Sequence, residues 1–182
     1  MRFFALLAML LVSVPAAADT IPCPESVNMM FFGRRVQEHK DERMRGLFRD
    51  VLAKAHLPAY SIALCSFDSF TPMILPIPRM EGYGFAVMLP QYVEQFSDAA
   101  VRGLIGHELG HVGHPMMGTM DFAIEIDADR RAAIWVGRNA VAVMLRTLHD
   151  NLYRFPLMSY DVVQLQIEYR LCVLNGEPLY AY

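Results

Sequence analysis

The chain reads as an α+β protein, mainly helical, with a small sheet lying beside one central helix. Three observations predict this class. Apolar residues recur at helical spacing in residues 34–55, 97–113, 121–149 and 161–174. Two runs rich in β-formers, 59–67 and 82–89, fall between the first and second of these. At 182 residues and 54% hydrophobic composition, the chain can bury one core but not two comfortable ones.

The first residues have the form of an export signal: Arg2, an apolar run from Phe3 to Val14, and Ala16 and Ala18 as a small-x-small pair before a cut after Ala18. Residues 1–18 are therefore expected to be a signal peptide and residues 19–182 a single domain. The apolar run is short for a bilayer span, which needs about 20 residues. The later apolar stretch 132–148 is broken by Arg138, Asn139 and Arg146. A mature protein without a membrane span, periplasmic or secreted, is the expectation.

From Arg34 to Ala55, Val36, Met44, Leu47, Phe48, Val51, Leu52 and Ala55 form one apolar side of a helix, opposite a charged, solvated side. His39 and His56 stand alone and read as surface or capping residues. Residues 59–67 alternate loosely as a strand. Residues 69–79 carry Pro72, Pro76 and Pro78 and must be irregular or at a sheet edge, because proline donates nothing to a ladder. Gly82 to Leu89 reads as a second strand that ends at Pro90. Its residues 83–89 are expected to offer a free edge to a polypeptide substrate bound in extended form.

Ser97 and Asp98 start the next helix with a capping oxygen followed by an acid in the first turn. Val101, Ile105, Leu109 and Val112 form its buried side. Gly113 is placed to cap it and Pro115 to stop it. One long helix is expected from Asp121 to His149, and a last one from Asp161 to Leu174, closed by Gly176 and Pro178. No repeat or low-complexity segment interrupts the chain.

The formal charge is −3, or −4 once Arg2 is removed, with no basic block, so the electrostatic footprint of a nucleic-acid binder is missing. Cys23, Cys65 and Cys172 lack CxxC spacing. In an oxidising compartment they imply one disulfide and one spare thiol, with three pairings open. A sharper reading has Cys23 capping a catalytic metal.

The central helix carries His107-Glu108-Leu109-Gly110-His111. Residues four apart on a helix lie about 40° apart around the axis and roughly 6 Å along it, so His107 and His111 can close on one small cation, expected to be zinc. Two imidazoles leave a four-coordinate ion short of ligands, and Glu125 is the candidate third. Glu108, beside the metal but not bound to it, can take a proton from the attacking water. Asp121, Glu125 and Asp129 recur every four residues, and Asp129 can accept the second ring N–H of His107. Arg130 and Arg131 are positioned to neutralise this cluster. His114 reads as exposed. Met117 occupies the position where a metzincin would place its third histidine.

HELGH followed by Glu125-Ile126-Asp127-Ala128-Asp129-Arg130-Arg131-Ala132 resembles the gluzincin peptidases that include the HtpX heat-shock peptidases, the CAAX prenyl endopeptidases and soluble periplasmic relatives, with HExxH and a later ExxxD. The similarity spans Gly82 to Leu148. It implies a zincin-like fold, one zinc ion on His107, His111 and Glu125, catalysis by Glu108, and Asp129 supporting the ligands. It also implies a late residue that steadies the oxyanion, for which His149, Tyr153, Tyr160 and Arg170 are available. Thirteen residues separate His111 from Glu125, a short connection for that family. Gly118-Thr119-Met120-Asp121 resembles the GTxD piece of aspzincins, which would make Asp121 the third ligand instead. Two functions follow from different classes: an exported zinc endopeptidase, or a zinc-stabilised binding or chaperone-like module that does little cleavage.

Overall fold

The computed structural model describes Cys23 and residues 36–57, 61–67, 71–79, 82–113, 122–154 and 160–176. Residues 1–22, which include the expected signal peptide, lie outside this set, as do His114, Met117 and Asp121. In order the elements are β1 (Val36–Glu38), α1 (Glu42–Ala55), β2 (Ile62–Phe67), β3 (Met73–Arg79), β4 (Gly82–Pro90), a 3-10 turn (Gln91–Gln95), α2 (Asp98–Gly110), α3 (Phe122–Val136), α4 (Arg138–Asp150), a short 3-10 turn (Leu152–Arg154) and α5 (Tyr160–Asn175). The protein is α+β, mainly helical, with one small mixed sheet.

The sheet order is β1-β2-β4-β3, with β2 and β4 parallel and the outer pairs antiparallel. One sheet face presents Ile62, Leu64, Ile74, Val87 and Leu89 to Val101, Leu104, Ile105 and Leu109 of α2 and to the apolar side of α1. The opposite face gathers Ala63, Cys65, Phe67, Ile77, Ala86 and Met88, with Cys23 packed against them and bridged to Cys65. All six residues of β2 are buried because both faces of the sheet are covered.

Three expectations are corrected here. Residues 36–38 are a strand and not the start of a helix: Val36 pairs with Phe67 and Glu38 with Cys65, and the helix begins only where Asp41 accepts a hydrogen bond from the Met44 N–H at 3.1 Å. Strand 83–89 has no free edge, because β4 is flanked by β2 along 85–90 and by β3 along 82–88. The outer strand on that side is β3, whose Pro76 and Pro78 suit an edge position. The long helix of 121–149 is two helices, broken at Gly137 with φ of 89°, a backbone angle that glycine adopts without a Cβ clash.

Two arginines fix α2. At its start, Arg43 of α1 donates to Asp98 Oδ1 at 2.7 Å and to the carbonyls of Glu94 and Phe96 at 3.1 and 2.6 Å. At its end, Arg131 donates to the carbonyls of Gly110 and Val112 at 3.3 and 3.1 Å, satisfying acceptors that a helix terminus leaves open. Between them α2 packs closely on α3 and α4. A Cβ on Gly110 would stand 2.7 Å from both Cα and O of Ala128, so only glycine allows this approach of the two backbones. No helix among the described residues is long and apolar enough to cross a membrane.

Candidate metal centre

His107 lies on the last turn of α2, His111 is the residue that caps its C-terminal end, and Glu125 lies on the first turn of α3. The Gly110–Ala128 contact is what brings these two turns together. His107 Nε2 and His111 Nε2 face each other at 3.1 Å, with the rings at 89°. Glu125 closes the triangle, with Oε2 3.2 Å from His107 Nε2 and Oε1 3.6 Å from His111 Nε2. Donors at about 2.0–2.1 Å from a four-coordinate ion are separated from each other by roughly 3.3 Å, so the three groups fit a single small cation. Two imidazole Nε2 atoms 3.1 Å apart beside a carboxylate need a hydrogen on at least one of them, or a metal ion between them. His107, His111 and Glu125 can hold a metal ion.

The other side of the His107 ring is equally furnished. Its Nδ1 stands 2.8 Å from Asp129 Oδ1, one helical turn beyond Glu125. Arg170 of α5 donates to Asp129 through Nε to Oδ2 at 2.7 Å and through Nη2 to Oδ1 at 2.8 Å. Its Nη1 reaches Glu125 Oε2 at 3.2 Å. Asp129 can only accept, so His107 donates to it from Nδ1, which Arg170 Nη2 also approaches at 3.1 Å; the neutral ring then has its Nε2 lone pair toward Glu125 and His111, and the protonated ring carries an N–H there.

The charges follow this arrangement. Burial and the guanidinium of Arg170 push the His107 imidazole down, but the charges and hydrogen bonds of Asp129 and Glu125 carry it up to about 9 with no metal bound. Burial raises the Glu108 carboxyl to about 7, against the pull of His107; the charges of Glu125 and Asp129 also raise it, and that of Arg170 opposes them. Burial would raise Glu125 and Asp129 as well. His107 and Arg170 overcome it, holding Glu125 at about 2 and Asp129 far below the usual carboxylate range. Glu108 is buried and within electrostatic reach of the whole cluster, one residue from His107.

The structure thus brings together His107, Glu108, His111, Glu125, Asp129 and Arg170. Of the residues nominated to steady an oxyanion whose side chains are described, Arg170 joins the cluster and His149 and Tyr153 do not. It sits behind His107, with its nitrogens engaged by Asp129 and Glu125, a poor position for meeting a substrate oxygen. His149 contacts Asp150 at the end of α4, Tyr153 is 70% exposed, and the side chain of Tyr160 lies outside the described residues. Neutralisation of the acidic stripe comes from Arg170 and not from Arg130, which is exposed, or Arg131, which pairs with Asp127 and caps α2. Cys23 does not cap the metal, since it is bonded to Cys65; Cys172 is outside that bridge. His39 is buried and not at the surface.

Set against protein-family models, curated proteins and solved structures, the chain matches none.

Proposed function

We propose that the protein is an exported zinc endopeptidase, a soluble relative of the gluzincins. The observation that carries this reading is the convergence of two imidazole Nε2 atoms and one carboxylate at separations suited to a single four-coordinate ion, with Glu108 buried next to His107 and outside that triad. Nitrogen and oxygen donors in this number favour zinc and leave a position for water. Bound there, zinc would supply Lewis-acid activation of a peptide carbonyl and of the attacking water.

The chain's own residues then divide the work. His107, His111 and Glu125 hold the ion. Asp129 orients His107 through Nδ1. Glu108 accepts the proton of the attacking water on a carboxylate oxygen and returns it to the departing amine nitrogen. A carboxyl raised by burial toward neutral pH suits both transfers. Export is supported by the signal-like pattern of residues 1–18 and by the Cys23–Cys65 disulfide, which persists in an oxidising compartment.

The test is metal analysis of the purified protein together with chelator-sensitive cleavage of an unfolded polypeptide. Glu108→Gln should retain one zinc per chain and lose cleavage by about 10²–10⁴-fold. A metal-free wild-type protein, or cleavage unchanged in the variant, would reject the reading. The second reading, a zinc-stabilised binding module, draws on the burial of His107 and Glu108, at 5% and 6% exposure. It predicts bound zinc and no cleavage for the substitution to remove.

A further inference from the structure

We infer that Arg170 is the positioning residue of the metal centre, holding Asp129 and Glu125 in place so that the site binds its ion more tightly with this cation present than without it; the inference rests on the metal-site reading above. A guanidinium 3.2 Å from a candidate metal ligand is electrostatically adverse to a second cation. Charge alone therefore predicts that removing Arg170 tightens metal binding. The geometry predicts the opposite.

Arg170 grips Asp129 with two parallel bonds of 2.7 and 2.8 Å, the forked pairing that a planar guanidinium makes with a carboxylate. Asp129 Oδ1 accepts from Arg170 Nη2 and His107 Nδ1 together, each at 2.8 Å, while Oδ2 is taken by Arg170 Nε. A carboxylate saturated in this way cannot rotate, so the His107 ring is locked with Nε2 toward the metal side. The third nitrogen, Nη1, reaches round to Glu125 Oε2 and restrains the remaining ligand. Arg170 is itself fixed. Its side chain is 10% exposed, the neighbouring Tyr169 ring packs on Phe122 of α3 at 4.6 Å, and Ile167 of α5 is buried in the core. The helix farthest along the chain thereby sets ligand geometry on α2 and α3.

Lysine keeps the charge but loses the fork, which separates the two effects. Zinc affinity, measured by competition with a chromophoric chelator, should weaken by about 10–100-fold in both Arg170→Lys and Arg170→Gln, the range seen when a ligand's supporting partner is lost. The visible spectrum of the Co²⁺-substituted variants should shift, reporting altered ligand geometry. A purely structural role would lower the melting temperature of the metal-free protein and leave affinity and spectrum at wild-type values. Unchanged or tighter zinc binding in folded Arg170→Lys would overturn the inference while leaving the metal site standing, whereas a wild-type protein that takes up neither zinc nor cobalt would overturn the metal site itself. Should both variants fail to fold, the zinc-loaded wild type decides: the Arg170 Nε–H signal in ¹⁵N NMR should be slow to exchange with water, and exchange as fast as in a free guanidinium overturns the inference.

Discussion

Two histidines are almost equally buried, His39 at 1% exposure and His107 at 5%, and their surroundings drive them in opposite directions. His39 follows β1, and its backbone N–H donates to Leu64. Neither ring nitrogen makes a hydrogen bond among the described residues, and the nearest carboxylate oxygen, Glu94 Oε1, is 3.7 Å away. Burial therefore wins over the pull of Glu94 and Asp41 and lowers its pKa. Burial lowers His107 as well, but Asp129 and Glu125 reverse it. The contrast teaches that burial alone silences an imidazole, while burial against carboxylates delivered by another helix makes a cation site.

Removing the imidazole on each side is the largest break in this comparison. His107→Ala should take zinc from one per chain to none by elemental analysis, whereas His39→Ala should keep it. Loss of metal from both would show that the distinction is wrong. Next comes the Cys23–Cys65 bridge, which spans 42 residues and anchors the sheet face away from the metal. On chain entropy it contributes roughly 4 kcal/mol. Replacing both cysteines by serine should lower the denaturation midpoint accordingly and leave zinc stoichiometry intact. Gly110→Ala should cost about 1–3 kcal/mol by overpacking. By pushing Glu125 away from the histidines it should also weaken zinc binding, which the disulfide variant should not do.

The two imidazoles should also show opposite pH limbs in the metal-free protein. The folded pKa of His107 lies above its unfolded value of 6.5, so its contribution is full below 6.5 and is lost as pH rises through about 9. That of His39 is lowered, so its contribution is full above 6.5 and is lost as pH falls below it. Urea titrations across pH should find the alkaline limb flattened in His107→Ala and the acid limb flattened in His39→Leu. Zinc uptake at pH 7 should release a proton from His107, detectable by calorimetry in buffers of different ionisation enthalpy, and the release should fade as pH passes 9. The smallest effect is His39→Leu near neutral pH, neutral or stabilising by about 1 kcal/mol, since an apolar side chain replaces a buried polar one without partners.

Much of the centre was legible in the chain because it is local. Two histidines four apart must share a helix flank, and Glu125 and Asp129 must share another, so the candidate donors could be read from spacing, while the choice of Glu125 over Asp121 could not. Proline carries its constraint with it, so residues 69–79 were legible as irregular or at a sheet edge, and β3 takes the edge. What escaped was set by partners distant in sequence. Val36 continues the apolar periodicity of α1, yet its backbone pairs with Phe67. Gly137 lies inside an otherwise helical pattern, where a single glycine can equally be tolerated or end the helix. His39 looked like a surface residue because its burial is decided by elements that come later in the chain.

By itself the sequence determined which donors this protein owns and which of them travel together on one helix, because helical geometry is set within a few residues. The tertiary structure alone decided that the two donor turns meet, that β4 lies inside the sheet, and that Arg170, 41 residues beyond Asp129, completes the ring of charge. These depend on how closely two backbones can approach and on which buried charges must find counter-charges, and neither condition is written in the spacing of neighbours.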